Sequence, residues 1–342
     1  MLDFLILYKK FAHDNGVTVS VSHLSALLKS TNFSYCICDY EDDESLYRRV
    51  LEKTARVIIL EAPTFQRPVL EDILAIGCEV NLVIHSTISF LQVEEEAFDK
   101  IQCFLQFSSP NFTVSNPCLY EVEGFRSYAK VPVLYFPNTL NVQFPGIFDD
   151  VVKARIENRK KSKVWRIGLF CAYRPFKNIT TQLTACSIVN TKYNIPIEVH
   201  LFEESRNPIY KNIRTLSKNL KFNIIFHPQC KNEKFLSLLR NMDIGMQVSY
   251  SETFSYVMGE HMMFGTPTIS SSTVPFASRI AEFNNAESIA KEIAILCDDT
   301  SYSKYVSEAV QKIDAVRKNN NIDAMTCLNK LLERSKTHYG KC

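Results

Sequence analysis

The stretch SYSETFSYVMGEHMMFGTPTISSS, Ser249–Ser272, carries two carboxylates, Glu252 and Glu260, with seven residues between them. Ser251 is a possible N-cap. From Thr253 the apolar residues Phe254, Val257, Met258 and Met262 recur at helical spacing, and Gly265 followed by Pro267 stops the run. The pattern predicts a short helix with Glu252 at its mouth and Glu260 two turns inside. The first amides of such a helix, on Thr253, Phe254 and Ser255, lack intrahelical acceptors and form a seat for phosphate. Carboxylates accept hydrogen bonds from the vicinal hydroxyls of ribose or hexose. Phosphate seat and carboxylate pair together suggest a nucleotide-sugar site. The bland alternative is an amphipathic helix bearing two solvated glutamates.

Working outward, short apolar runs alternate with helical patterns on both sides of this stretch. In the first half, Asp3–Tyr8, Ser34–Cys38, Val57–Leu60, Val80–His85, Phe104–Phe107 and Val131–Phe136 read as strands. Ser20–Leu28, Ser45–Leu51, Val69–Ile76 and a segment near Asn116–Phe125 read as helices. In the second half, strands at Val164–Phe170, Glu198–Phe202, Asn223–His227, Ile244–Val248 and Thr266–Ser270 alternate with helices at Thr180–Val189, Tyr210–Leu220 and Phe235–Arg240. Ala286–Leu296, Ser303–Val316 and Ile322–Ser335 are helical. Continuous apolar strands between helices indicate parallel sheets covered on both faces, with ligands gathered at the strands' C-terminal ends. The fold class is α/β, with two doubly wound, Rossmann-like domains. Asp149–Lys163, densely charged and without a core face, is expected to be a solvated linker. The domains are accordingly expected at 1–148 and 164–321, joined by 149–163, with a final helix at 322–342.

Two further segments bear on chemistry. CAYRPFKN, Cys171–Asn178, lies between a strand and a helix, where cations flank a phosphate at a helix N-terminus. Arg174 offers a fork and Lys177 a point charge. His85 closes a strand and is expected to face the crevice.

Composition narrows the remaining classes. A chain of 342 residues with net charge +2 is long enough for two cores and shows no global pull toward nucleic acid or anionic membrane. No apolar run approaches the ~18–20 residues that span a bilayer. MLDFLILYKK reads as a first buried strand because its lysines follow the apolar run, the reverse of a signal peptide. The eleven cysteines have no paired spacing and read as buried thiols of a cytoplasmic protein. With nine glycines and no G-x-G-x-x-G after a strand, a dinucleotide oxidoreductase is disfavoured.

The Glu–seven–Glu stretch resembles the motif of retaining glycosyltransferases of the GT-B fold, the group 1 (GT4-type) family. That resemblance implies two Rossmann-like domains facing across a cleft, and transfer of a sugar from a nucleoside diphosphate sugar, most often a UDP-sugar, to an acceptor hydroxyl. It implies that Glu260 holds the ribose hydroxyls, Glu252 the donor sugar, and the amides of Thr253 and Phe254 the diphosphate, with Ser255 beside them. Lys177 matches the family's lysine, whereas Cys171 and Ala172 stand where a Gly-Arg pair is usual, so Arg174 is the candidate substitute. VIHS, with His85, resembles the family's segment near the donor sugar. The last helix would cross back onto the first domain. No metal and no cofactor is expected. The acceptor stays open among a glycan, a lipid-linked sugar, a protein and a modified DNA base. The glycine-rich loop usual after the first strand is replaced by KKFAHDNG, where Lys9, Lys10 or His13 would have to contribute. This departure keeps a catalytically silent nucleotide-sugar-binding module as the competing reading.

Overall fold

The protein is described by a computed structural model covering residues 1–10, 16–93, 95–140 and 148–339. His13 lies outside the described residues. The chain divides into two compact units, Met1–Asn141 with Arg317–Cys342, and Val142–Val316.

Unit 1 runs β1 (Leu2–Lys9), α1 (Gly16–Leu28), β2 (Tyr35–Tyr40), α2 (Asp43–Glu52), β3 (Ala55–Glu61), α3 (Arg67–Ala75), β4 (Glu79–Val83), α4 (Glu95–Leu105), β5 (Phe112–Asn116), α5 (Leu119–Arg126) and β6 (Val133–Tyr135). All strand pairs are parallel, in the order β2-β1-β3-β4-β5-β6. The order reverses between β1 and β3, so the crevice of this sheet opens where those two strands end.

Unit 2 runs α6 (Phe148–Arg159), β7 (Trp165–Gly168), α7 (Ile179–Lys192), β8 (Ile197–Phe202), α8 (Pro208–Ser217), β9 (Asn223–His227), α9 (Asn232–Leu239), β10 (Ile244–Gln247), α10 (Tyr256–Met263), β11 (Thr268–Ser270), β12 (Arg279–Ile280), α11 (Ala286–Leu296) and the first part of α12 (Tyr302–Tyr339). Its parallel sheet has the order β12-β11-β10-β7-β8-β9, with the reversal between β7 and β10. Apolar strand residues, Ile167, Val199, Leu201, Met246 and Ile269 among them, are buried because helices cover both faces.

Several expectations are corrected. Phe104–Phe107 is not a strand: Ile101, Phe104 and Leu105 share the buried face of α4, and the strand is β5. A short apolar run is ambiguous between the two, and here helical spacing decided it. The helices expected at Ser303–Val316 and Ile322–Ser335 are one, α12, which continues through the poor helix formers Asn319–Asn321. Its later residues Ala324, Leu328 and Leu331 pack with Phe4, Ile6 and Val57 of unit 1.

The expected solvated linker is largely helix α6, belonging to unit 2, and it buries Val151, Arg155 and Arg159. Its charges are not all on a solvated face. Arg155 Nε and Nη2 donate to the Phe264 carbonyl at 3.1 and 3.0 Å, and Nη1 donates to the Met242 carbonyl. A cation on the carbonyl that ends α10 complements the helix dipole. The Arg159 guanidinium lies 3.7 Å from the centre of the Trp165 ring and pairs with Asp299 at 3.2 Å.

Helix α10 is buried nearly all round, Met258 to Met263 without interruption, so it is a core helix and not an amphipathic one. Its His261 lies flat against the sheet beneath Gly168 and Gly245, on the two central strands. A Cβ on Gly245 would stand 2.6 Å from His261 Cδ2, and one on Gly168 would stand 2.8 Å from Cε1. Glycine is required here for the close approach of a ring to two backbones. Gly245→Ala should therefore cost ~1–3 kcal/mol by overpacking. In a His261→Ala background most of that cost should vanish. Denaturant midpoints of the four proteins in this cycle check it; strictly additive costs would show that the ring and the strand are not in conflict.

Candidate functional site

The site of unit 2 forms where β7 and β10 end side by side. The loop after β7 runs through a 3-10 turn, Pro175–Lys177, into Asn178, which adopts the left-handed conformation (φ 55°) at the head of α7. Asparagine tolerates that conformation better than most residues. Its side-chain amide donates to the Val248 carbonyl at 3.0 Å and the Phe283 carbonyl at 2.6 Å. Gln182, one turn along α7, donates to the Lys177 carbonyl at 2.8 Å and accepts from the Val248 amide at 2.8 Å. The Tyr250 amide donates to the Phe176 carbonyl at 2.9 Å. Two loops far apart in sequence are thus fastened together by backbone and side-chain amides.

That fastening brings Lys177 to Glu252. The Nζ to Oε1 distance is 2.5 Å, and the side chains are only 20% and 9% exposed. Gln247, the last residue of β10, donates its side-chain amide to the same Glu252 oxygen and accepts from Ser255 Oγ at 3.0 Å. A half-sheltered ion pair with an amide on the shared oxygen is better ordered than a surface pair. The view of Glu252 as a solvated helix residue is excluded.

Helix α10 begins later than the sequence suggested. Its first residue is Tyr256, and the preceding Ser255 has φ 71° with no side-chain cap. Ser251 is not the N-cap. Glu252 and Thr253–Ser255 form the approach loop, so the first-turn amides are those of Tyr256, Val257 and Met258. Phe254 is buried against the Tyr256 and Phe276 rings, with centroids 5.0 and 5.1 Å apart. Gly265, with φ 71°, ends the helix where the sequence placed its stop.

Glu260 then lies about one turn inside α10, not two, and is 4% exposed. Among the described residues no donor meets its carboxylate. Burial alone pushes its pKa up, to about 8. A buried carboxyl without partners is costly unless a ligand supplies donors.

Arg174 stands exposed at the start of the 3-10 turn. His85 belongs to unit 1 and pairs there with Glu61. Sequence reading missed Gln247, Asn178 and Gln182. The available signals were a polar residue closing the apolar strand IGMQ, and an Asn with a Gln four residues on. Among the described residues no group of three or more His, Cys, Asp or Glu side chains could hold a metal ion.

Residues 152–313 match the family model of Glycosyl transferases group 1. That match covers most of unit 2, which over this span is similar to the group 1 glycosyl transferases. No curated protein matches the chain in sequence. Among solved structures, the chain is similar to sucrose-phosphate synthase from Thermosynechococcus elongatus, at 13% identity over 96% of this chain and 99% of that one, with TM-score 0.72. It is similar to Anabaena HepE in complex with UDP-glucose, at 13% identity, 97% and 99% coverage and TM-score 0.67. A glycosyltransferase from Rickettsia africae shares 15% identity over 99% and 100% of the two chains, with TM-score 0.66. The likeness extends over both units and assigns the chain the GT-B fold.

Within unit 2, Glu260 makes a stability prediction. Its folded pKa lies above the ordinary value of 4.5, so folding favours the protonated form. Its contribution to stability is fully present below pH 4.5 and is lost as pH rises through about 8. Without ligand, Glu260→Gln should remove this loss, so the variant gains on wild type between about pH 5 and about pH 9. Urea midpoints at the two ends check it. Parallel pH profiles for the two proteins would mean that the carboxyl is not desolvated.

Proposed function

We propose that this chain transfers a sugar from a nucleoside diphosphate sugar, a UDP-sugar first among them, to an acceptor hydroxyl, with anomeric configuration retained and without a metal ion. The observation that carries the reading is the meeting of Lys177, Glu252 and Gln247 at the strand-order reversal of unit 2, with the buried, partnerless Glu260 in the helix that follows. Glycosyltransferase neighbours of the same fold support it: HepE carries UDP-glucose, and a trehalose-6-phosphate structure from E. coli carries UDP-2-fluoro glucose.

In this reading the ribose hydroxyls donate to Glu260 and supply the partners it lacks. The diphosphate lies against the first turn of α10, beside the loop of Thr253, Phe254 and Ser255. Lys177 is held by Glu252 until the donor arrives. It then turns to the phosphate, and Glu252, still steadied by Gln247, accepts from the sugar's hydroxyls. Arg174, exposed at the turn, adds a second cation. As the C1–O bond to the diphosphate breaks, negative charge grows on the leaving oxygens, and Lys177 with the helix N-terminus stabilises it. The acceptor oxygen bonds to C1 from the same face, and its proton passes to a phosphate oxygen. The leaving group itself is the base, so no side chain has to take that proton.

The test is nucleotide release from a panel of UDP-, GDP- and ADP-sugars by wild type and Lys177→Ala. Wild type should hydrolyse one donor slowly, and the variant should be slower by about 10²-fold or more. A fully active variant would remove Lys177 from the site. Binding without turnover would favour the silent module, and no binding to any donor would end the reading.

A further inference from the structure

The edge of the unit 1 sheet carries two thiols that sugar transfer does not use. β2 lies at one end of the strand order, paired with β1. In its sequence, YCICDY, Cys36 and Cys38 alternate with Ile37. Side chains two residues apart on a strand share a face. Both thiols accordingly pack with the cluster that includes Leu46 and Val50 of α2, whereas Tyr35 and Ile37 pack with the cluster on the other face. Both cysteines are half-buried, and their sulfurs lie 3.5 Å apart.

A bond between the sulfurs and a shared ion make different demands on the strand. A disulfide needs Cβ atoms ~3.5–4.5 Å apart. Two steps of unbent strand separate same-face residues by ~6.4–6.8 Å, so a disulfide could not close without bending β2. The ladder to β1 opposes that bend, running from Phe4–Tyr35 through Leu5–Cys36 and Leu7–Cys38 to Lys9–Tyr40. A metal–sulfur bond is ~2.3 Å long, so one ion can touch two sulfurs up to ~4.6 Å apart. The pair meets that limit with β2 unmoved. Zinc would want four ligands, and among the described residues no third His, Cys, Asp or Glu joins the two thiols.

We infer that Cys36 and Cys38 together bind one copper(I) ion, a soft cation that two thiolate sulfurs satisfy. No electron is transferred. Two S–Cu bonds form, two S–H bonds break, and both protons go to water. Before binding, burial and the neighbouring Cys36 keep the Cys38 thiol protonated, against the pull of Arg49 in α2 and Lys53 just after it. The bound dithiolate carries one negative charge, and those two cations offset it. Nothing in unit 2 enters the inference, so it stands or falls apart from the glycosyl-transfer reading.

The test uses reduced full-length protein, kept free of oxygen and titrated with copper(I) held by a chromophoric chelator. Wild type should withdraw one equivalent, and X-ray absorption at the copper should show two sulfur neighbours and no nitrogen. Cys36→Ser and Cys38→Ser should each lose that equivalent, whereas Cys230→Ser, outside the pair, should keep it. Copper retained by both variants of the pair would overturn the inference. So would nitrogen at the copper, or a wild type that withdraws none, results readable even if the variants do not fold. One equivalent of zinc(II) bound by wild type and lost on either substitution would also overturn it, because zinc would require ligands beyond the two thiols. Treatment with oxidised glutathione should leave no Cys36–Cys38 disulfide in a peptide map. Finding one would show that β2 bends, and would remove the geometric ground for an ion over a bond.

Discussion

The ion pair between Lys177 and Glu252 is the contact on which the organisation of unit 2 turns. It can form only because β7 and β10 are neighbours, 76 positions apart along the chain between Gly168 and Ile244, at the point where strand order reverses. Asn178 and Gln182 bind the turn after β7 to the carbonyl and amide of Val248, so the basic turn and the acidic loop are fixed before the charges meet. The charges then attract across a short, half-sheltered distance instead of ordering two mobile side chains.

Beneath that pair lies an expense that packing alone does not explain. Helix α10 buries Glu260 and His261 side by side, and His261 has neither ring nitrogen bonded. Burial pushes Glu260 up to about 8 and His261 down to about 3, so both are held neutral at pH 7. The two glycines that admit the His261 ring and the Arg155 side chain on the helix's last carbonyl keep α10 in place despite this cost. For Glu260, the proposed function supplies a ligand whose hydroxyl donors would offset the cost. His261 has no such outlet, and its role is the packing of helix against sheet.

Much of this was legible in sequence because parallel strands buried on both faces read as continuous apolar runs. The helix Ala286–Leu296 was read to its end residues, since Asn285 caps it through the Ser288 amide at 3.1 Å. Phe104–Phe107 was misread because three apolar residues in a run of four do not distinguish a strand from a helix end. Asn319–Asn321 suggested a break that packing of α12 on either side overrides. Within the site, Glu252, Glu260 and Lys177 stood out by charge and spacing. Ser255 did not announce itself as the residue before α10, because its left-handed backbone, φ 71°, is one that serine rarely adopts. Gln247, Asn178 and the Glu61–His85 pair depend on strand order, which linear spacing does not contain.

The central claim is that Glu260 waits, protonated and unpartnered, for the hydroxyls of a nucleotide's ribose. Those donors favour the carboxylate, so binding of UDP below about pH 8 should release a proton. Calorimetric titration of UDP near pH 7, in two buffers that differ in ionisation enthalpy, measures that proton directly. Release by wild type and none by Glu260→Gln is the predicted result. Binding with no proton released, or the same release from both proteins, would contradict it.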